Sequence, residues 1–203
     1  MLKLIGKIPK THFHLACSGG SDSMVILDFL MKNPKNKFDV IHFNHGTKYC
    51  DEAEKFIVSF CKKHNIECIV GKIGRQKTKD ESNEMYWRDE RYKFFSQFKS
   101  EPIITCHHLK DEIETWVMSS FKGESKIIPY YNEKYNIIRP FIITSKKDID
   151  EWAKFHKVKY VVDQSNYDTS ITRNFIRANI DFVYHINPGI EKTLIKKIKE
   201  SVG

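Results

Sequence analysis

Along the first half of the chain, short apolar runs alternate with longer stretches whose apolar residues recur at helical spacing. Residues 13–17 read as a strand and 21–32 as a helix, with Met24, Val25, Leu27, Phe29 and Leu30 apolar. A second strand follows at 38–43, then a helix over 51–64 carrying Ala53, Phe56, Ile57 and Phe60. The pattern predicts a third strand at 66–70, a polar loop at 74–83 and a helix over 84–98. A fourth strand at 102–106 and a helix over 109–121 complete this half. Strands separated by helical segments of this length predict βαβ units around a parallel sheet. Right-handed crossovers then favour a doubly wound, mostly parallel, Rossmann-like α/β fold of the nucleotide-binding kind.

The second half is less regular. Residues 135–138 suggest a short strand ending at Arg139-Pro140. Ser145, with Asp148 three residues on, is placed to cap a helix running to 156. The β-branched run 158–162 reads as a strand, 163–170 as a polar loop, and 172–183 as one helix. Pro188 suits the approach to a last helix over 190–199. Nothing resembling a repeat or linker divides the chain. The expectation is one domain, 1–203, with a small helical C-terminal portion from about residue 172.

Composition narrows the class. With 203 residues and 40% hydrophobic content, the chain can bury a full core. No apolar run approaches bilayer length, and the N-terminal apolar stretch is too short for a signal peptide. A soluble, cytoplasmic protein without membrane contact is expected. The five cysteines include no C-x-x-C pair. That argues against a disulfide framework, a zinc site or an iron–sulfur cluster. The net charge of +8 suits a polyanionic partner such as nucleic acid. Only six of the 34 basic residues are arginine. Arg88, Arg91, Arg139, Arg173 and Arg177 fall inside the segments discussed below, and Arg75 falls outside. A guanidinium offers a planar fork that lysine lacks, so these positions point to phosphate or carboxylate contacts. For Arg88 and Arg91, internal salt bridges are the competing reading.

The most informative segment is Ser18-Gly19-Gly20-Ser21-Asp22-Ser23, set between the first strand and the first helix. Glycines let a backbone approach phosphate closely, and a helix N-terminus presents free N–H groups and a positive dipole end. Serine hydroxyls add donors. Asp22 repels a bare phosphate and is expected to act through Mg2+ bound with ATP. Asp111 and Glu114, three apart, share a helix face after His107-His108. Such a pair is either a solvated face or a site for an ammonium group and its proton. A zinc site at the two histidines lacks an evident third ligand. Arg173 and Arg177, four apart, suit phosphates, or else pair with Asp168 or Asp181.

The hexapeptide matches S-G-G-x-D-S, the signature of the PP-loop ATP pyrophosphatases. Four further segments resemble the tRNA(Ile)-lysidine synthetase branch. These are His42-Phe43-Asn44-His45-Gly46, Glu84-x-x-x-Arg88-x-x-Arg91-Tyr92, and His107-His108-Leu109-Lys110-Asp111-Glu112-Ile113-Glu114-Thr115. The last is Asp163-x-Ser165-Asn166-x-Asp168 with Arg173-Asn174-x-Ile176-Arg177. The resemblance spans about residues 13–194. It implies an ATP-dependent ligase that joins L-lysine to C2 of the anticodon wobble cytidine of a tRNA(Ile) with a CAU anticodon. The path runs through an adenylated cytidine and releases AMP and diphosphate. It implies ATP contacts from Ser18, Gly19, Gly20, Ser21, Asp22, Ser23 and His45, and lysine contacts from Asp111 and Glu114. Catalytic roles fall to Asp22, Arg88, Asp111, Glu114 and Arg177. Contacts to tRNA or phosphate fall to Lys48, Arg91, Lys122, Arg173, Asn174 and Arg177. A homodimer is also implied.

The chain departs from that pattern at Lys110 (an acid in the family), Lys48, Lys122-Gly123 and Gln164. It is also expected to lack the family's C-terminal tRNA-binding domains. Two other readings stay open: another PP-loop tRNA enzyme such as a 2-thiolase, and a catalytically weakened homologue that binds tRNA or nucleotide.

Overall fold

The computed structural model describes residues 1–163, 168–169 and 171–202. One sheet carries the strands β1 (Phe13–Ala16), β2 (Phe38–Asn44), β3 (Cys68–Lys72), β4 (Ile103–Thr105), β5 (Tyr131–Asn132) and β6 (Ile137–Ile138). The helices are α1 (Ser21–Met31), α2 (Lys48–Lys63), α3 (Asn83–Phe95), α4 (Leu109–Ser120), α5 (Lys146–Phe155), α6 (Thr172–Ala178), α7 (Ile180–Ile186) and α8 (Ile190–Val202). The strand order is β3-β2-β1-β4-β6-β5. All pairings are parallel except β5 with β6. The expected doubly wound α/β fold is therefore present.

Both faces of the sheet are covered, as parallel strands require. Phe13, Leu15 and Val40 pack with Met24, Leu27 and Leu30 of α1, Ile57 of α2 and Ile149 of α5. Ile41, Phe43, Ile103 and Ile137 pack with Phe94 and Phe95 of α3. A separate apolar cluster joins α4 to α6, α7 and α8 through Leu109, Ile113, Val117, Ile176, Ile180, Val183, Ile190 and Leu194. Caps set several helix starts. Thr47, Ser82 and Ser145 each accept a backbone N–H three residues on, Ser145 as expected. No helix among the described residues is long and apolar enough to cross a membrane.

Four expectations change. The short strand expected over 135–138 is confined to Ile137–Ile138, because Tyr135 closes a 3-10 turn and Asn136 is left-handed at φ 50°. The third strand starts at Cys68, because Asn65 turns through a left-handed φ of 54° and Ile66 N–H still bonds to Cys61 of α2. Residues 158–162 form no strand. Instead, Val161 N–H donates to the Gly19 carbonyl at 2.9 Å, laying this segment against the loop after β1. The single helix over 172–183 is two helices that break at Asn179, whose side-chain amide donates to the Phe175 carbonyl at 2.8 Å. Gln164, Ser165 and Asn166 lie outside the described residues.

Strand order reverses between β1 and β4, since β2 and β3 lie on one side and β6 and β5 on the other. The crevice at the carboxyl ends of such neighbours is where open α/β sheets bind ligands. The loops after β1, β2 and β4 all emerge there.

Candidate active site

The loop after β1 is shaped largely by its own serine. The Ser23 hydroxyl accepts N–H bonds from Ser18 (3.2 Å) and Gly19 (3.1 Å), and donates to the Gly20 carbonyl (3.0 Å). It is 3% exposed, so it holds the loop instead of presenting a free hydroxyl. Gly19 has φ +84°, and a Cβ there would lie 3.1 Å from Ile57 and 3.3 Å from Ala53. Gly20 is extended and has room for a side chain. No side chain caps the first turn of α1, which leaves its N–H groups turned toward the crevice.

Asp22 stands in the first turn of α1. Lys146 at the start of α5 reaches its carboxylate at 2.5 Å and the Ser21 hydroxyl at 3.1 Å. His108 Nε2 lies 3.5 Å from the same carboxylate. Burial opposes the Asp22 charge, but His108 and Lys146 outweigh it and hold the carboxyl well below its usual range. Sequence reasoning missed Lys146. Its only local signal was a lysine just after a helix cap.

His108 caps α4. Its Nδ1 accepts the Lys110 N–H at 3.2 Å, which leaves the Nε2 proton for Asp22. In return Asp111 accepts the His108 N–H at 3.0 Å. His107 Nδ1 bonds to Thr105 at 2.9 Å, and burial pushes its pKa down to about 3. The two adjacent histidines therefore have separate positioning tasks.

Glu114 is fully buried, and both of its oxygens are engaged. Arg173 Nε donates at 2.8 Å, Arg177 Nε at 2.8 Å and Arg177 Nη2 at 3.0 Å. Arg173 Nη2 also lies 3.4 Å from Asp111. Asp111 and Glu114 are thus partners of the two arginines. An ammonium arriving at Glu114 would have to share it with two guanidiniums.

Two cavities meet along this wall. One of about 660 Å³ includes Ser18, Gly20, Asp22, His45, Arg91 and Asp111 in its lining. The other, about 560 Å³, includes His108, Lys110, Glu114, Thr169, Asn174 and Ala178. Ser21, Asp22, Lys146 and Arg177 line both. His45 lies beside Phe43 and Trp87, its buried Nδ1 has no partner among the described residues, and burial lowers its pKa to about 4. His42 gives Nδ1–H to the Cys17 carbonyl at 2.9 Å, and its buried Nε2 likewise has no partner among the described residues. Arg91 lines the larger cavity and makes no salt bridge among the described residues. Asn174 lines the smaller cavity and donates to the Asp168 carbonyl at 3.0 Å.

Other predicted site residues lie apart. Arg88 is exposed, sits over the Tyr92 ring at 4.9 Å and lines neither cavity. Lys48 and Lys122 are exposed at the start of α2 and just after α4, and line neither cavity. Arg75, outside every motif, is a structural arginine that pairs with Glu81 at 2.6 Å and Glu90 at 3.3 Å. Among the described residues no three cysteine sulfurs lie within 4.8 Å of one another, and Cys17, Cys50 and Cys106 line the larger cavity.

Known proteins resemble the chain in sequence and in fold. The PP-loop domain family matches residues 1–182. The tRNA(Ile)-lysidine synthase of Persephonella marina is 33% identical over 195 residues, covering 89% of this chain and 43% of that protein. Its counterpart in Staphylococcus aureus strain COL is 28% identical, covering 93% and 48%. The chain thus spans less than half the length of these relatives. Among solved structures, the U34-tRNA thiolase NcsA from Methanococcus maripaludis, with its [4Fe-4S] cluster, superposes with a TM-score of 0.77 at 18% identity, covering 95% of this chain and 73% of that one. Phosphoadenylyl-sulfate reductase from Candida auris gives 0.50 at 12% identity, covering 76% of each chain. At such identities these two share a fold with the chain and nothing finer.

Proposed function

The chain belongs to the PP-loop domain family, and from that premise we propose that it is an ATP-dependent tRNA-modifying ligase, joining lysine to an anticodon cytidine of tRNA(Ile). The carrying observation is the shared wall of Ser21, Asp22, Lys146 and Arg177 between two cavities. A reaction in which ATP activates one substrate for attack by another needs two compartments meeting at the phosphate. ATP occupies the larger cavity, with its phosphates on the Gly19–Gly20 turn and the N-terminus of α1. Its base approaches His45 Nδ1 and His42 Nε2.

In the first step, O2 of the cytidine attacks the α-phosphorus and diphosphate leaves. Lys146, Arg91 and Arg177 offset the charge that develops on phosphate. In the second step, the lysine amine attacks C2, a proton passes to Asp111, and AMP departs with the bond pair. Glu114 is a positioning residue here, since it holds Arg173 and Arg177. The charge-stabilising role expected of Arg88 falls instead to cavity-lining arginines. Asp22, one carboxylate beside a phosphate site, fits Mg2+, which keeps several waters and takes few protein ligands. When bound, that ion would neutralise phosphate charge. Residues 1–203 act as one catalytic domain.

The thiolase reading has less support, because the five cysteines include no C-x-x-C pair, although Cys17, Cys50 and Cys106 line the larger cavity. A weakened, non-catalytic homologue is favoured by Lys110, a cation lining the smaller cavity. The deciding experiment incubates purified protein with Mg-ATP, lysine and an unmodified tRNA(Ile) transcript bearing CAU, with tRNA(Met) as control. Nucleoside mass spectrometry should find lysidine in the first RNA only. AMP release without lysidine would keep the PP-loop chemistry and discard the substrate. tRNA binding without AMP would favour the non-catalytic homologue.

A further inference from the structure

At the opposite end of the sheet, four side chains converge that the nucleotide chemistry does not use. His12 and His14 flank Phe13 at the start of β1, so the period-two alternation of a strand puts both on one face. Asp39 begins β2 beside them, and Glu101 precedes β4 on the other side. Glu101 Oε2 lies 2.8 Å from His12 Nδ1 and 3.1 Å from His14 Nε2, while Asp39 Oδ2 lies 3.1 Å from His12 Nε2. One donor atom each from His12, His14 and Asp39 fall within 4.8 Å of one another. Around a tetrahedral ion with ~2.0 Å bonds, neighbouring donors stand roughly 3.3 Å apart. Closing these three donors on an ion means drawing them together by up to about 1.5 Å, with water completing the coordination.

We propose that His12, His14 and Asp39 form a structural site for a divalent ion of the zinc class, with Glu101 outside the ligand set as a hydrogen-bond partner of both imidazoles. Several features favour an ion over a plain hydrogen-bonded network. Glu101 engages His12 Nδ1 and His14 Nε2, which leaves His12 Nε2, already facing Asp39, and His14 Nδ1 as the nitrogens for an ion. His14 is 6% exposed, and its buried Nδ1 has no partner among the described residues. The ring is also fixed in place, packed on Phe98 with centroids 4.9 Å apart. His12, at 33% side-chain exposure, and Glu101, at 41%, leave a route for the ion to enter. Two imidazoles with a carboxylate select zinc, cobalt or nickel over magnesium or calcium. The ligands come from the residue entering β1, from β1 itself and from the start of β2. A bound ion would staple these adjacent strands together. At about 3.3 Å per residue, His14 lies roughly 13 Å from the loop at Ser18, so the ion would act on stability and not on ATP.

The test uses EDTA-treated, dialysed protein titrated with Zn2+ by calorimetry, and with Co2+ by visible absorption. The wild type should take up one ion per chain. Its Co2+ spectrum should be that of a tetrahedral or five-coordinate nitrogen–oxygen site, without a thiolate charge-transfer band. Zn2+ should raise Tm, because the ion binds the native state. His12→Gln and Asp39→Asn should each weaken binding at least about tenfold and remove the Tm increment. Both positions are partly exposed, and unchanged circular dichroism and ATP binding would verify folding. Failure of the wild type to bind, equal binding by the variants, or a thiolate band in the Co2+ spectrum would each overturn the site.

Discussion

At the residue scale, the phosphate loop rests on one glycine conformation and one inward-turned serine. Gly19→Ala would force a side chain into a left-handed backbone and against Ile57 and Ala53. We expect a loss of about 1 kcal/mol or more of stability, together with sharply weaker ATP binding, readable by thermal melting and nucleotide titration. Gly20→Ala should cost far less stability, and equal losses in the two variants would contradict this account. Lys146→Ala removes the cation nearest Asp22 and should lower the AMP-forming rate at least about tenfold with the fold intact. Unchanged turnover would show that Lys146 only balances charge in the unliganded site.

Glu112 permits a pH prediction. It is fully buried and accepts the Ile128 N–H at 2.9 Å, and its Oε1 has no partner among the described residues. Burial raises its pKa from 4.5 to about 7. Between these values the native state binds the proton more tightly than the unfolded chain does. Stability contributed by this group is therefore full below pH ~4.5 and is lost as pH rises toward ~7. Glu112→Gln should flatten that part of the stability–pH curve in urea unfolding series. A slope identical to that of the wild type would remove Glu112 as its source. The phosphate loop, Asp22 and Asp111 were legible as residues. Lys146 was not, because it lies 124 positions from the carboxylate it meets.

At the element scale, the decisive joint is between α4 and α6. The three-residue spacing of Asp111 and Glu114 placed both on one helix face. The four-residue spacing of Arg173 and Arg177 did the same on a second helix. That the two faces oppose each other is a tertiary fact. It turns a presumed ammonium site into a carboxylate already held by guanidiniums. Glu114→Gln should cost about 2–3 kcal/mol, less than the ~3–5 for a fully buried pair, because Arg173 and Arg177 keep 28% and 34% side-chain exposure. Hydrogen exchange should rise most in α6, and unchanged exchange there would sink this account of the joint. The misread run 158–162 belongs to this scale too. Its β-branched residues suit a strand, but Val161 bonds to Gly19 on the loop.

At the scale of the whole molecule, the helices α6, α7 and α8 are joined to the sheet domain through α4, and α8 also through Ile198, which packs with Ile5, Ile142 and Ile143. Leu194 of α8 is fully buried in that cluster. Leu194→Ala should cost about 2–5 kcal/mol in denaturant unfolding. If α4 couples this cluster to the cleft, the same variant should also weaken ATP turnover through Arg177. Destabilisation without any change in turnover would show that the cleft is indifferent to helix docking.

What the sequence alone determined was local and periodic: the alternation of strands and helices, the Gly19 turn before a helix N-terminus, and the carboxylate and arginine pairs on their own helix faces. These follow from backbone geometry within a few residues, which hydrophobic spacing and side-chain type report directly. Only the tertiary structure decided that Lys146 meets Asp22, that Arg173 and Arg177 hold Glu114, that two cavities share a wall, and that His12, His14, Asp39 and Glu101 converge. Each joins residues from separate elements whose relative placement is set by packing across the sheet and between helices, and no spacing along the chain encodes that placement.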